Sequence, residues 1–367
     1  MPEDLESQPK RSRIAQMNTQ VHHISTFLHQ WAPQNIKLDY DNVGLLIGDR
    51  KQPVSRVLTC LDVTMEVVEE AIDLGCELIV SHHPLIFQSI DRINPSDTQG
   101  EIIYKLIKND IALLAAHTNL DAALDGVSFV LAQQLGLENC KFLDKSYNIS
   151  RKIVLTTSVA DSKSVLRLLN YYSAEEAHYY NVEGRKDDQQ TYEAIIDEHN
   201  VSGLKNELRK NGLLEKSSFQ VLDVTSPSNN FGMGVVGFYR DQGLTQNDFL
   251  TLIAERLNVK AIRFSGSAER IKKVAVCGGA GVSLTSKAIG EGVQAFVTAD
   301  IKYHDYFLNN DDFLLVDVGH YASEIPIASA LREELEDAFE ELEIHETSVV
   351  TNPMNVFIPD LKQNPQE

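Results

Sequence analysis

The order of apolar runs predicts an α/β protein. Its main domain has a mostly parallel sheet and is discontinuous in sequence, and an inserted ferredoxin-like α+β domain interrupts it. Three observations predict this. Strand-like and helix-like segments alternate from Val57 to Leu114, an order that implies parallel pairing through right-handed crossovers. The alternation returns from Lys273 to Val316, so both ends of the chain read as parts of one α/β layer structure. Between them, from about Arg151 to Asn230, the order is β-α-β-β-α-β, the ferredoxin-like unit.

Each element has a local reason. Val57–Leu61 is a short apolar run, as expected of a strand buried on both faces. Thr64 is placed to cap a helix in which Val67, Val68, Ala71, Ile72 and Leu74 recur at helical spacing. Gly75 closes that helix, and Leu78-Ile79-Val80 starts the next strand. A helix carrying Ile102, Ile103, Leu106 and Ile107 leads to the strand Ile111–Leu114. In the middle, strands are expected at Ile153–Thr157, near His178–Val182, at Tyr192–Ile196 and at Phe219–Val224. Helices are expected at Ser162–Tyr171 and Gly203–Asn211. The hydrophilic stretch Glu183–Gln190 and the turn-rich Ser226–Asn230 bound this segment. Late strands are expected at Lys273–Cys277, Ala295–Thr298 and Phe313–Val316. The expected division is 17–150 with 231–359 as the main domain, 151–230 as the insert, and 1–16 as a disordered extension.

Composition bounds the function. Hydrophobic residues make up 43% and charged residues 23% of 367, the balance of a globular chain. A formal net charge of -20 argues against a nucleic-acid surface, which needs clustered Lys and Arg. Part of the acidic excess lies in Glu333–Glu346, which reads as the solvated face of a helix. Cys60, Cys76, Cys140 and Cys277 are scattered with no C-x-x-C pair, so neither a disulfide framework nor a zinc–thiolate site is indicated. No run reaches the roughly 18 apolar residues of a membrane span, and Met1–Gln20 lacks the apolar stretch of a signal peptide. The expected compartment is the cytoplasm.

In open α/β sheets, ligands bind beyond the carboxyl ends of the strands. There the sequence gathers histidines and carboxylates. His82 and His83 follow one strand, and His117 and Asp121 another. Asp300, Lys302 and His304 follow a third, and Asp317, His320 and Glu324 a fourth. Imidazole and carboxylate are the usual ligands of zinc, manganese, iron or nickel. Five such groups exceed the needs of one four-coordinate ion, and two ions roughly 3.5–4 Å apart would use them all. His320 and Glu324, spaced i, i+4, share a face if a helix begins there.

Plainer readings compete. A His-His pair alone is weak evidence, since His22-His23 sits in an amphipathic helix and reads as surface-facing. His117 and His304 read as supporting or core groups, and Asp317 as a turn cap. Gly278-Gly279-Ala280-Gly281 opens a helix and would present amides to a phosphate. It matches neither the Walker A loop nor the G-x-G-x-x-G spacing, and a tight turn with close packing explains it better. Asp41–Gly44 and Gly48-Asp49 read as turns around a short strand.

Six segments together resemble the Nif-three-like family, also labelled GTP cyclohydrolase I type 2 homologues. They are Asp41–Gly48, Leu61–Thr64, Ser81–Phe87, His117–Asp121, Ala299–His304 and Gly319–Glu324, and the likeness runs from about Met17 to Pro359. The resemblance implies a dinuclear metal site whose ligands map onto His82, His83, Asp121, His320 and Glu324. It also implies a ring-shaped homohexamer with the sites facing an internal cavity. The insert resembles the trimer-forming P-II and CutA type of domain carried by longer members, but lacks their His-Pro-Tyr-Glu-Glu stretch. The first function expected is a metal-dependent hydrolase acting on a nucleotide or a related phosphate or cyclic amide compound, with Asp300, Lys302 or His304 as general acid or anion contact. The competing function is a non-enzymatic metal-binding regulatory or adaptor protein.

Overall fold

The computed structural model describes residues 19–147, 149–173, 177–180, 188–225, 227–240, 242–308 and 312–358. The predicted extension 1–16, most of the hydrophilic boundary 183–190 and the end of the strand expected near His178–Val182 lie outside them.

In chain order, helix α1 (Val21–Trp31) precedes β1 (Gly44–Ile47), β2 (Arg56–Cys60), α2 (Met65–Leu74), β3 (Leu78–Ser81), α3 (Thr98–Lys108) and β4 (Ala112–Ala115). The short α4 (Thr118–Asp121), α5 (Val127–Gln134) and the long β5 (Glu138–Tyr147) follow. Then come β6 (Ser150–Ser158), α6 (Ser162–Tyr172), β7 (His178–Tyr180), β8 (Gln189–Asp197), α7 (Glu198–Lys210) and β9 (Ser218–Asp223). The chain returns through β10 (Pro227–Phe238), α8 (Gln246–Arg256), β11 (Arg263–Ser267), β12 (Lys273–Val276), α9 (Thr285–Gly290), β13 (Ala295–Thr298) and β14 (Phe313–Asp317). It closes with α10 (His320–Glu324), α11 (Pro326–Ala338) and β15 (Glu343–Glu346).

The expected caps form. The Thr64 hydroxyl accepts from Val67 N, and Gly75 ends α2 in the left-handed region at φ 67°. The acidic run Glu333–Glu346 is only partly helical. α11 stops at Ala338, and β15 pairs in parallel with β2 because Leu342 and Ile344 turn into the core.

Two compact units result, one comprising the chain up to Asp144 and from Met233, the other Lys145–Gly232. The larger unit is built on two sheets, which corrects the expectation of one layer. The first runs β1-β4-β3-β2-β15, with β1 antiparallel and the other pairings parallel. The second runs β11-β14-β13-β12-β10-β5. In it β12, β13 and β14 are parallel, while β10 and β11 join antiparallel. Both sheets are therefore mixed. Helix α5 belongs to both cores, Val127 packing with the first and Leu131 and Ala132 with the second.

The smaller unit is a four-stranded antiparallel sheet of order β7-β8-β6-β9. Val165 and Leu169 of α6 and Leu204 and Leu208 of α7 pack onto Ile153, Leu155, Tyr192 and Ile196. Of the turn expected at Ser226–Asn230, Ser226 lies outside the described residues and Pro227–Asn230 instead begin β10. Among the described residues no helix is long and apolar enough to cross a membrane.

Candidate metal centre

The parallel strands of both sheets aim their carboxyl ends at one place. His82 and His83 leave β3, His117 and Asp121 follow β4, and His320 and Glu324 form α10 just after β14. Three overlapping groups arise there: His82, His83 and His117; His83, His320 and Glu324; His82, Asp121 and Glu324. Within each, the potential ligand atoms lie within 4.8 Å of one another.

Each imidazole is oriented from behind through Nδ1. His82 donates to the Ala116 carbonyl at 2.8 Å, and His83 to Asp62 Oδ1 at 2.7 Å. His117 donates to Asp41 Oδ1 at 2.8 Å and His320 to Asp300 Oδ2 at 2.7 Å. Such bonds set ring orientation and turn Nε2 inward, as outer-shell partners of metal-bound histidines do. Asp41 is itself fixed by the Thr118 amide and hydroxyl. Glu324 is central: its Oε2 accepts from His83 Nε2 at 3.0 Å and from His320 Nε2 at 2.8 Å.

The electrostatics are those of a packed charge cluster. Burial pushes His82 down to about 3. Burial also opposes a charge on His83, yet its bonds to Asp62 and Glu324 outweigh that and push it up to about 10. Glu324 lifts His320 to about 9 against burial, with Asp300 assisting. Burial and the neighbouring Glu324 charge raise the Asp121 carboxyl well above the usual range. Burial works the same way on Glu324, but His320 and His83 hold its carboxyl well below that range.

Two atoms are left over. His82 Nε2 and Asp121 Oδ1 are buried and find no hydrogen-bond partner among the described residues. They face each other at 3.6 Å, too far for a hydrogen bond. Buried polar atoms are rarely left so, and an ion is a recognised reason for the exception. The donor set of imidazole and carboxylate fits a divalent transition metal.

Glycine makes room for the carboxylate. A Cβ on Gly279 would lie 2.2 Å from Glu324 Oε1, and its φ is +60°. Three amides of this loop are already taken by side chains, Gly278 N by Ser128 Oγ, Gly279 N by Ser323 Oγ and Gly281 N by Thr298 Oγ1. That leaves the loop as close packing rather than a phosphate cradle.

Thus His82, His83, Asp121, His320 and Glu324 come together, and His117 joins them where a supporting place was expected. Among the described residues Asp300 meets the cluster through His320. Lys302 and His304 are exposed, and the His304 ring lies against Tyr303 and Phe307. Asp317 ties Arg263 and Tyr306 as well as the Gly319 amide. His22 and His23 bond to the Arg50 and Gln20 backbones. Sequence reasoning passed over Asp41 as a turn residue and gave Asp62 no role. Their signal was a carboxylate in loops at the same strand ends.

An α/β protein whose strand ends converge on a cluster of histidines and carboxylates able to hold a metal ion is the class these features define. The family model described as Duf34/NIF3 (NGG1p interacting factor 3) matches residues 19–353, and the chain belongs to that family. The GTP cyclohydrolase 1 type 2 homolog of Staphylococcus epidermidis is 34% identical over 337 residues, spanning 84% of this chain and 91% of the relative. That of Staphylococcus aureus is 32% identical over 363 residues, spanning 90% and 98%. The crystal structure of a Bacillus cereus protein related to NIF3 is similar at a TM-score of 0.77 and 29% identity, covering 94% of this chain and 100% of its own.

Proposed function

We propose that this chain holds two divalent ions between His82, His83, Asp121, His320 and Glu324 and uses them to hydrolyse a nucleotide or a related phosphate or cyclic amide compound. The observation that carries the reading is the buried, unpartnered pair His82 Nε2 and Asp121 Oδ1. Two of the three groups have only Glu324 in common, so two ions could be held there with Glu324 serving both. Zinc, manganese, iron and nickel all suit these donors. Bound there, such ions acidify water and neutralise charge developing on an electrophile.

The chain's own residues supply the rest. Asp41, Asp62 and Asp300 hold three imidazoles in place. Phe87 sits 6.1 Å from the His117 ring and 6.1 Å from Tyr40, and both Phe87 and Tyr40 are exposed. These rings at the edge of the cluster favour a substrate with a planar face. Lys302, exposed two residues beyond Asp300, is the candidate anion contact. The GTP cyclohydrolase name of the relatives makes GTP the first compound to try.

Protein purified without chelator should carry about two metal equivalents by elemental analysis and turn over a nucleotide in a metal-dependent screen. His82→Ala or Asp121→Ala should abolish that turnover in a folded protein. Absence of bound metal, even after zinc, manganese or iron is supplied, would sink the proposal. Two equivalents without turnover would favour the second reading, a regulatory or adaptor protein with a structural metal. The exposed apolar side chains of Val350, Met354, Val356, Phe357 and Ile358, close together in sequence, favour that alternative, because exposed apolar patches mark contact sites.

The β-α-β-β-α-β order and sheet order of the smaller unit support a ferredoxin-like insert, and its helix-free sheet face supports self-association. That face presents Val154, Ile195 and Leu222 beside the Lys152–Glu193 ion pair. A homohexamer assembled partly through this face should dissociate on Ile195→Asp, read by sedimentation velocity. An unchanged sedimentation coefficient would remove the insert from the interface.

A further inference from the structure

The chain's last described segment reaches the metal centre through the Thr351 hydroxyl. After β15, the segment is tied to α2 by Thr347 and by Ser348, whose amide and hydroxyl both donate to Glu70. It then places Thr351 Oγ1 2.6 Å from Asp62 Oδ2. The other oxygen of the same carboxylate, Oδ1, takes the Nδ1 proton of His83 at 2.7 Å. His83 Nε2 in turn meets Glu324. Four residues from four separate stretches of sequence thus form a line of hydrogen bonds ending on a candidate metal ligand.

A carboxylate on a short side chain rotates broadly about its terminal torsion. Thr351 occupies one oxygen and thereby fixes the plane of the other, which fixes the ring of His83. We infer that Thr351 is a positioning residue for the metal centre, acting through Asp62 on the ion held by His83, His320 and Glu324. The ion at His82 and Asp121 has no such connection to the C-terminal segment, since His82 is oriented by a backbone carbonyl of the β4 end. The inference rests on the two-ion reading above and adds an asymmetry to it: one ion answers to the C-terminal segment and the other does not.

The test is calorimetric titration of metal-stripped full-length protein with zinc chloride at fixed pH, with melting of the metal-free proteins measured alongside. Outer-shell partners of ligating histidines are worth about 10–100-fold in metal affinity, and Thr351 stands one bond further out. Thr351→Val should therefore weaken one of the two ions by about tenfold and leave the other unchanged. Thr351→Ser, which keeps the hydroxyl, should restore wild-type binding. Ser348→Ala loosens the same segment without touching Asp62 and should bind as wild type. Two ions bound by wild type and equally well by Thr351→Val would overturn this inference alone. So would an equal loss in Ser348→Ala, which would assign the effect to ordering of the segment, or a loss in Thr351→Ser as large as that in Thr351→Val. Wild-type protein that takes up no zinc would overturn the two-ion reading together with it.

Discussion

Glu324→Ala is expected to strip the protein of both ions. The carboxylate is 3% exposed, belongs to two of the three ligand groups, and receives both His83 and His320 on one oxygen. Four-ligand zinc sites bind with apparent free energies of about 10–16 kcal/mol, so one ligand is worth roughly 3 kcal/mol, or about two orders of magnitude in affinity. Loss of a shared ligand applies that factor at both positions. Metal content after gel filtration should fall from about two equivalents to a small fraction. Added zinc should no longer raise the melting temperature, because stabilisation by a ligand follows its occupancy of the native state. Glu324→Gln keeps the volume and removes the charge, and it should behave similarly. A Glu324→Gln protein that retains two ions would show that the carboxylate is not a ligand.

Gly279→Ala tests the same carboxylate from behind. The added methyl would meet Glu324 Oε1 at 2.2 Å and His320 Cε1 at 3.3 Å, on a backbone whose φ is +60°. The left-handed conformation alone costs an L-residue about 1–2 kcal/mol. At roughly 2–4 °C per kcal/mol for a domain of this size class, the metal-free protein should melt several degrees lower. Its zinc affinity should fall as well, because Glu324 has to move. Gly290→Ala is the control. Gly290 has nothing within 4 Å of its added Cβ and no positive φ, so its melting temperature and zinc affinity should hold or rise slightly. Gly279→Ala protein with unchanged melting and metal content would mean that the loop yields without disturbing Glu324.

What the sequence revealed and what it hid have physical reasons. The strands β2, β3, β4, β12, β13 and β14 are short and almost wholly buried, so they read as apolar runs, and the ligands following them stood out. β5 and β10 did not. Ser228-Asn229-Asn230 and the glycines 232, 234 and 237 of β10 look like turn residues. Gly237 is there because a Cβ would come within 2.9 Å of Cys140 Sγ and Leu137 Cβ, the close backbone approach that glycine in a strand can mark. The outer carboxylates were illegible for a different reason. Asp41 and His117 meet across 76 positions and Asp62 and His83 across 21, and no local period encodes such pairings. The split into two sheets was equally invisible, since strand runs show which segments are buried and not which sheet each one joins.

The meeting of both sheets at one cluster also has a consequence in time. Glu324 lies 241 positions after His83, with the whole smaller unit emerging between them. A nascent chain can bring His82, His83 and His117 together with its first strands and helices, yet the two groups that contain Glu324 can form only after the last strands have been made. An ion held by His83 and Glu324 would be a late clasp on a very long loop. Closing that loop costs chain entropy that grows only slowly with length, while the metal bonds that hold it are strong.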